Sequence, residues 1–229
     1  GAWALGVTGL FGYHAFYFLA LRSAPAVEAN LINYLWPLLI VLFSALLPGE
    51  RLRTHHVAGA VLGLAGAAII VTGGQNLAGG QSLVVNADYV LGYSAALLAS
   101  LVWAGYSVLS RRFAGVPTEV VAGFCLATSV LSFSFHFALE ETVWPVGLTQ
   151  WLAVAGLGLG PVGIAFFVWD HGVKHGDIQV LGAASYAAPL LSTLALIGAG
   201  LGRFTPAVIL GGLAIVGGAL LAGKNLLRR

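Results

Sequence analysis

Apolar residues run along this chain in stretches of about 20, separated by short connectors that hold most of its polar residues. Eight such stretches can be drawn, at approximately 2–21, 25–47, 55–73, 88–110, 119–139, 149–172, 177–200 and 206–223. None alternates apolar and polar positions as a half-buried strand would. A helix rising about 1.5 Å per residue crosses ~30 Å of hydrocarbon in about 20 residues. In lipid, each segment must also satisfy its own backbone hydrogen bonds. The pattern therefore predicts an all-α, polytopic membrane protein.

The connectors set its orientation. Arg51, Arg53, Arg111, Arg112, Lys174, Lys224, Arg228 and Arg229 fall on one side, and only Arg22 and Arg203 on the other. Lys and Arg concentrate on the cytoplasmic side of membrane proteins, so both ends of this chain, the C-terminus included, are expected there. The connector containing Gln81 and the one at 140–147, both without Lys or Arg, are expected outside.

A shift of 152 residues sets Asn33-Tyr34-Leu35-Trp36-Pro37-Leu38-Leu39 on Ser185-Tyr186-Ala187-Ala188-Pro189-Leu190-Leu191. Leu5-Gly6 then falls on Leu157-Gly158, and Tyr17 on Trp169. One residue of slippage sets Leu62 and Gly66 on Leu213 and Gly217. Leu and Gly matches between apolar spans are common by chance, so the weight rests on the paired Tyr-x-x-Pro. Equivalent spans lie five apart, an odd number, and so cross the membrane in opposite directions. This is the signature of an inverted repeat. Residues 1–76 hold three helices of the first copy, and residues 88–229 all five of the second. The chain opens at Gly1 and contains no Met. It reads as a piece of a longer protein whose preceding part supplies two more helices, five plus five in all.

One span carries its polar residues and a helix-breaker together: "EANLINYLWPLLIVLF", residues 28–43. At about 100° per residue, Asn30, Asn33, Tyr34 and Pro37 share one helix face. The repeat presents Gly182, Ser185, Tyr186 and Pro189 in the same way. Each proline lacks an N–H, which strands the carbonyl four residues earlier, here those of Asn33 and Ser185. A stranded carbonyl in hydrocarbon costs a few kcal/mol, so the site must be buried or wet. Two such faces meeting at mid-membrane would suit an ammonium group. Packing alone is the plainer reading of the prolines.

Aromatic residues on other spans add to this face. Trp103 and Tyr106 lie beside a stripe of Ser100, Ser107 and Ser110, and Tyr13 and Tyr17 are one turn apart. Trp36 and Trp103 are deep within their spans, whereas Trp3, Trp144 and Trp151 lie near span ends and fit an interfacial belt. The candidate site is thus Tyr13, Tyr17, Asn30, Asn33, Tyr34, Trp36, Pro37, Trp103, Tyr106, Trp169, Ser185, Tyr186 and Pro189. Rings of this kind favour apolar or aromatic substrate side chains.

Composition narrows the chemistry. Charged residues make up 8% of the chain against roughly 25% in soluble domains, so its surface must face lipid. A net charge of +2, with the basic residues in connectors, gives no support to nucleic-acid binding. No Lys or Arg lies at mid-span to neutralise a phosphate, and Glu28, Asp88, Asp170 and Asp177 lie near span ends. Only His14 and His136 titrate within spans, so facilitated rather than proton-coupled movement is expected. His171 and His175 have a metal-compatible i, i+4 spacing, but they sit at a short connector where solvated polar residues are usual. No catalytic constellation emerges, and no metal or cofactor is expected. Cys125, inside an apolar run, reads as a packed small hydrophobe.

The stretch "LINYLWPLL", with "GYHAFYFLALRSAPAVEAN" before it and "GE" at 49–50 after it, resembles the drug/metabolite transporter superfamily of EamA type. Within it the resemblance is to the YddG-type branch, the aromatic amino-acid exporters. It covers the whole chain as spans three to ten of a five-plus-five inverted repeat. One departure is that "GE" has no counterpart in the second copy, where Leu201-Gly202 stands. The resemblance implies export of aromatic or neutral zwitterionic amino acids by alternating access across a bacterial inner membrane. The implied partners are the substrate and the bilayer, and a monomer is expected. Export of other small solutes is the alternative, and a membrane-embedded enzyme a weaker one.

Overall fold

A computed structural model describes residues 1–73 and 87–224, and every regular element among them is helical. The connector around Gln81, together with Arg228 and Arg229 of the charge count, lies outside the described residues. Helix α1 spans Ala2–Ser23 and stops where Pro25 turns the chain. The second span divides into α2, Ala26–Asn33, and α3, Trp36–Phe43. Then come α4, Thr54–Val71, α5, Val90–Ser110, and α6, Val120–Leu139.

The sixth expected span is not one rod. It forms α7, Leu148–Leu159, and α8, Ala165–His175, joined by a π-helical segment at Gly160–Ile164. Pro161 lies inside that segment, and its missing N–H breaks the regular ladder. The seventh span again divides, into α9, Ile178–Ala184, and α10, Ala187–Gly198. Helix α11, Pro206–Ala222, closes the described chain. The Asp177 carboxylate caps α9 by accepting from the Gln179 and Val180 N–H groups. Thr205 caps α11 in the same manner, with Pro206 at the first helical position. Among the described residues, seven helical segments are long and apolar enough to cross a membrane, and α11 is a shorter apolar helix.

With no hydrophobic drive between helices in lipid, close packing depends on small residues. Helices α4 and α11 meet through glycines. A Cβ on Gly59 would lie 2.5 Å from the Gly218 carbonyl, and one on Gly66 2.6 Å from that of Gly211. On α1, Gly9 and Gly6 leave room for the rings of Tyr106 and Phe124. Large apolar side chains such as Leu91, Leu98, Leu126 and Phe137 point outward, as a lipid-facing surface requires.

Candidate substrate site

Within residues 28–43 the helix breaks where the polar residues sit. Helix α2 ends at Asn33, the chain turns through Tyr34 and Leu35, and α3 restarts at Trp36. The Leu38 N–H should close on the Tyr34 carbonyl one turn back. Instead it donates to the hydroxyl of Tyr186 at 3.2 Å, and that hydroxyl donates to the Tyr34 carbonyl at 3.0 Å. A fully buried side chain from the second copy is thus inserted into the ladder of the first.

Polar atoms of Asn33 at the break lack partners. No hydrogen bond reaches the Asn33 carbonyl among the described residues. The Asn33 side chain is 5% exposed, its Nδ2 donates to the Tyr13 hydroxyl at 3.3 Å, and its buried Oδ1 has no partner. Close by, the Tyr17 hydroxyl donates to Asn30 Oδ1 at 2.7 Å, and the Tyr13 and Tyr17 rings stack at 5.7 Å. Two acceptors of one buried residue at a helix C-terminus, where the backbone dipole is negative, form a place for a cation.

The second copy differs from expectation. The Ser185 carbonyl is not stranded, because the Ala188 N–H tightens onto it at 3.1 Å in a three-residue turn. The Ser185 hydroxyl donates to the Leu181 carbonyl at 2.7 Å. Pro189 is buried, and Gly182 packs so closely that a Cβ there would lie 3.1 Å from the Pro37 carbonyl. The two prolines should therefore be unequal. Pro37→Ala adds an N–H aimed at the Asn33 carbonyl and should cut transport roughly tenfold, the weight of one charge-assisted hydrogen bond of about 1.5 kcal/mol. Pro189→Ala should change transport little, and initial rates in proteoliposomes compare them.

Three indoles meet beside the break. Trp103 and Trp169 stack at 5.9 Å, and Trp36 presents an edge to Trp169 at 5.4 Å and to Trp103 at 6.4 Å. Tyr13 lies 5.1 Å from Trp103, and Phe166 5.7 Å. Trp169 Nε1 donates to Ser107 Oγ at 3.0 Å, and Ser107 donates to its own helix at Trp103. Ser100 and Ser110 likewise bond their own backbone. Tyr106 is 3% exposed and fills the space over Gly9, a place in the core. The structure therefore gathers Tyr13, Tyr17, Asn30, Asn33, Trp36, Trp103 and Trp169. It sets Tyr106, Ser185, Tyr186 and Pro189 in packed surroundings, with Tyr34 and Pro37 at the break.

The two ends of the helical body are unlike. At the Lys/Arg-rich end, Arg111 pairs with Glu50 at 3.0 Å and donates to the Val173 and Gly176 carbonyls at the end of α8. Gln179 reaches Ser44 Oγ at 3.2 Å. Asp170 and Lys174, whose side chains are 2% and 3% exposed, pair at 2.7 Å. Thr118 donates to Asp170, and Lys174 to the Val116 carbonyl. The sequence reading placed Asp170 near a span end and Lys174 in the following connector, and did not pair them. Helix α8 runs to His175, so Lys174 falls in its last turn and pairs with Asp170 one turn back, both facing protein. His171 and His175 stay exposed, their rings 4.6 Å apart.

At the other end a cavity of about 550 Å³ opens between α1 and α6. Phe11, His14, Phe18, Ser132 and Phe133 line it, and Arg22, His136 and Glu140 stand at its rim. His14 of its lining lies 5.8 Å from Phe166, which lies 5.7 Å from Trp103. Hydrogen bonds from His136 and Arg22 hold the Glu140 carboxyl below the usual range. Every residue of α7 is exposed on this side. The basic end is tied by these contacts, and the cavity lies toward the opposite end.

The sequence profile of the EamA-like transporter family matches residues 2–72 and 90–223. A protein of Ancylobacter novellus named aromatic amino acid exporter YddG is 58% identical over 220 residues, covering 96% of this chain and 75% of that protein. The protein of the same name in Salmonella typhimurium is 28% identical over 170 residues, 73% of this chain and 57% of that one. A crystal structure whose chain is 56% identical superposes with a TM-score of 0.89 over 99% of this chain and 76% of that one.

Proposed function

This chain belongs to the EamA-like transporter family, and we propose that it exports aromatic and other neutral amino acids by alternating access, with the break at Asn33 as the ammonium site. The observation that carries this reading is the buried Asn33, whose side-chain oxygen and backbone carbonyl both lack partners beside three indoles. An ammonium satisfies both acceptors, and an aromatic side chain extends over Trp36, Trp103 and Trp169, each contact worth ~0.5–1.5 kcal/mol. Residues 1–76 and 88–229 act as the two inverted repeats.

Movement down a gradient suits the carboxylates inside the body, each already engaged. Asp170 has Lys174 and Thr118, Glu50 has Arg111, and Glu28 accepts from Tyr93. No bond of the substrate is broken in this scheme, so the protein is not an enzyme, and one copy of it suffices. Neither a cofactor nor nucleic acid takes part.

The basic end faces the cytoplasm of a bacterial inner membrane, which makes the present state open to the outside. A Glu141→Cys variant should then react with a membrane-impermeant thiol reagent in intact cells, and a Lys224→Cys variant should not. The reverse labelling would invert the orientation. Counterflow of radiolabelled phenylalanine in proteoliposomes tests the transport reading itself. Accumulation well above that in protein-free vesicles is expected. Counterflow of other small solutes but of no amino acid would move the protein to a different substrate class.

A further inference from the structure

The inserted hydroxyl makes the two repeats unequal at one hydrogen bond. Under the 152-residue correspondence, Tyr34 matches Tyr186 and Leu38 matches Leu190. Helix α3 begins at Trp36, whereas α10 begins at Ala187, the counterpart of Leu35. The first copy has thus lost the helical bond from Leu38 to Tyr34, while α10 begins one residue earlier in register and includes the equivalent turn. The reason is the Tyr186 hydroxyl, bridging Leu38 N–H and Tyr34 C=O at 3.2 and 3.0 Å. Tyr34 makes no such insertion: its hydroxyl has no hydrogen bond among the described residues, and it packs in the same cluster as Tyr186.

We infer that Tyr186 and Tyr34 are reciprocal positioning residues that alternate between the two helix breaks during transport. In the present state Tyr186 holds open the break at Asn33. In the opposite state the Leu38 N–H closes on the Tyr34 carbonyl, and the Tyr34 hydroxyl inserts between Leu190 N–H and Tyr186 C=O. Each half-cycle moves the bridging hydroxyl from one helix break to its counterpart. The two states then stay within the few kcal/mol that a reversible carrier needs. Inverted repeats supply the geometry, because the second state is the first with the copies exchanged. Gly63 allows the present arrangement, since a Cβ there would lie 2.6 Å from the Tyr186 ring. This inference rests on alternating access and not on which amino acid is carried.

The test reads the resting state without substrate, so it fails separately from the substrate reading. In the full natural protein, with Cys125 replaced by Ser, a Ser132→Cys reporter lies in the open cavity and a Ser110→Cys reporter in the closed end. Labelling rates of the two in nanodiscs give the balance of states. Tyr186→Phe should shift that balance toward the opposite state roughly tenfold, and Tyr34→Phe should shift it toward the present state by a similar factor. The double variant should return close to the parent. Shifts in the same direction, or no shift for Tyr34→Phe, would overturn the exchange. If Tyr186→Phe does not fold, Tyr34→Phe decides alone, because the Tyr34 hydroxyl makes no hydrogen bond among the described residues.

Discussion

Asn33→Leu should give a folded, membrane-inserted protein that has lost between about tenfold and 100-fold of its amino-acid transport. Leucine is close to asparagine in volume and removes the side-chain oxygen that has no partner in the empty site. A hydrogen bond to a charged group is worth about 1.5–3 kcal/mol, which sets the range. Stability should hold or rise. The variant gives up one 3.3 Å hydrogen bond to Tyr13 but also removes an unsatisfied buried acceptor. Initial rates of phenylalanine counterflow, set beside thermal unfolding in detergent, check both halves. Parallel loss of transport and of melting temperature would make Asn33 a packing residue.

Lys174→Met should be the most destabilising single change. It leaves the Asp170 carboxylate buried without its countercharge, and breaking such a pair costs about 3–5 kcal/mol. Thr118 alone remains to solvate that carboxylate. Adding Asp170→Leu should recover most of the loss, because a buried pair replaced as a whole by apolar residues is often neutral. Thermal unfolding of the two single variants and the double variant gives the coupling between them. Additive losses would show that the pair carries no interaction. The double variant also severs two ties across the closed end, from Thr118 to Asp170 and from Lys174 to Val116. It should therefore label faster at a Ser110→Cys reporter than the parent does.

The eight spans were legible because lipid leaves a chain few options: long apolar runs can only be helices there. The break at Asn33 was legible for a similar reason, since Pro37 states in the sequence which backbone bond is missing. What the missing bond leads to was not. Asn33 and Ser185 are equivalent in the repeat, yet Ala188 closes onto the Ser185 carbonyl while none of the described residues closes onto that of Asn33. Nor was the Tyr186 hydroxyl that enters the first break legible, because it comes from 148 residues beyond its partner Leu38.

A span ending at 172 leaves Lys174 in the connector and hides its pairing with Asp170. Extending α8 to His175 carries Lys174 from that connector into protein. An opposite-charge pair at that spacing beside an apolar run was the available signal. Tyr106 could not be separated from Trp103 by position on the helix alone. The glycine that receives its ring is on a different span, at Gly9.

The ammonium site is tested most directly by competition against bound phenylalanine, followed through the fluorescence of Trp36, Trp103 and Trp169. Phenethylamine keeps the ammonium and lacks the carboxylate, and 3-phenylpropionate does the reverse. With the parent protein, phenethylamine should displace phenylalanine and 3-phenylpropionate should not, and Asn33→Leu should erase that preference. Displacement by 3-phenylpropionate at equal or lower concentration in the parent would contradict an ammonium held at Asn33.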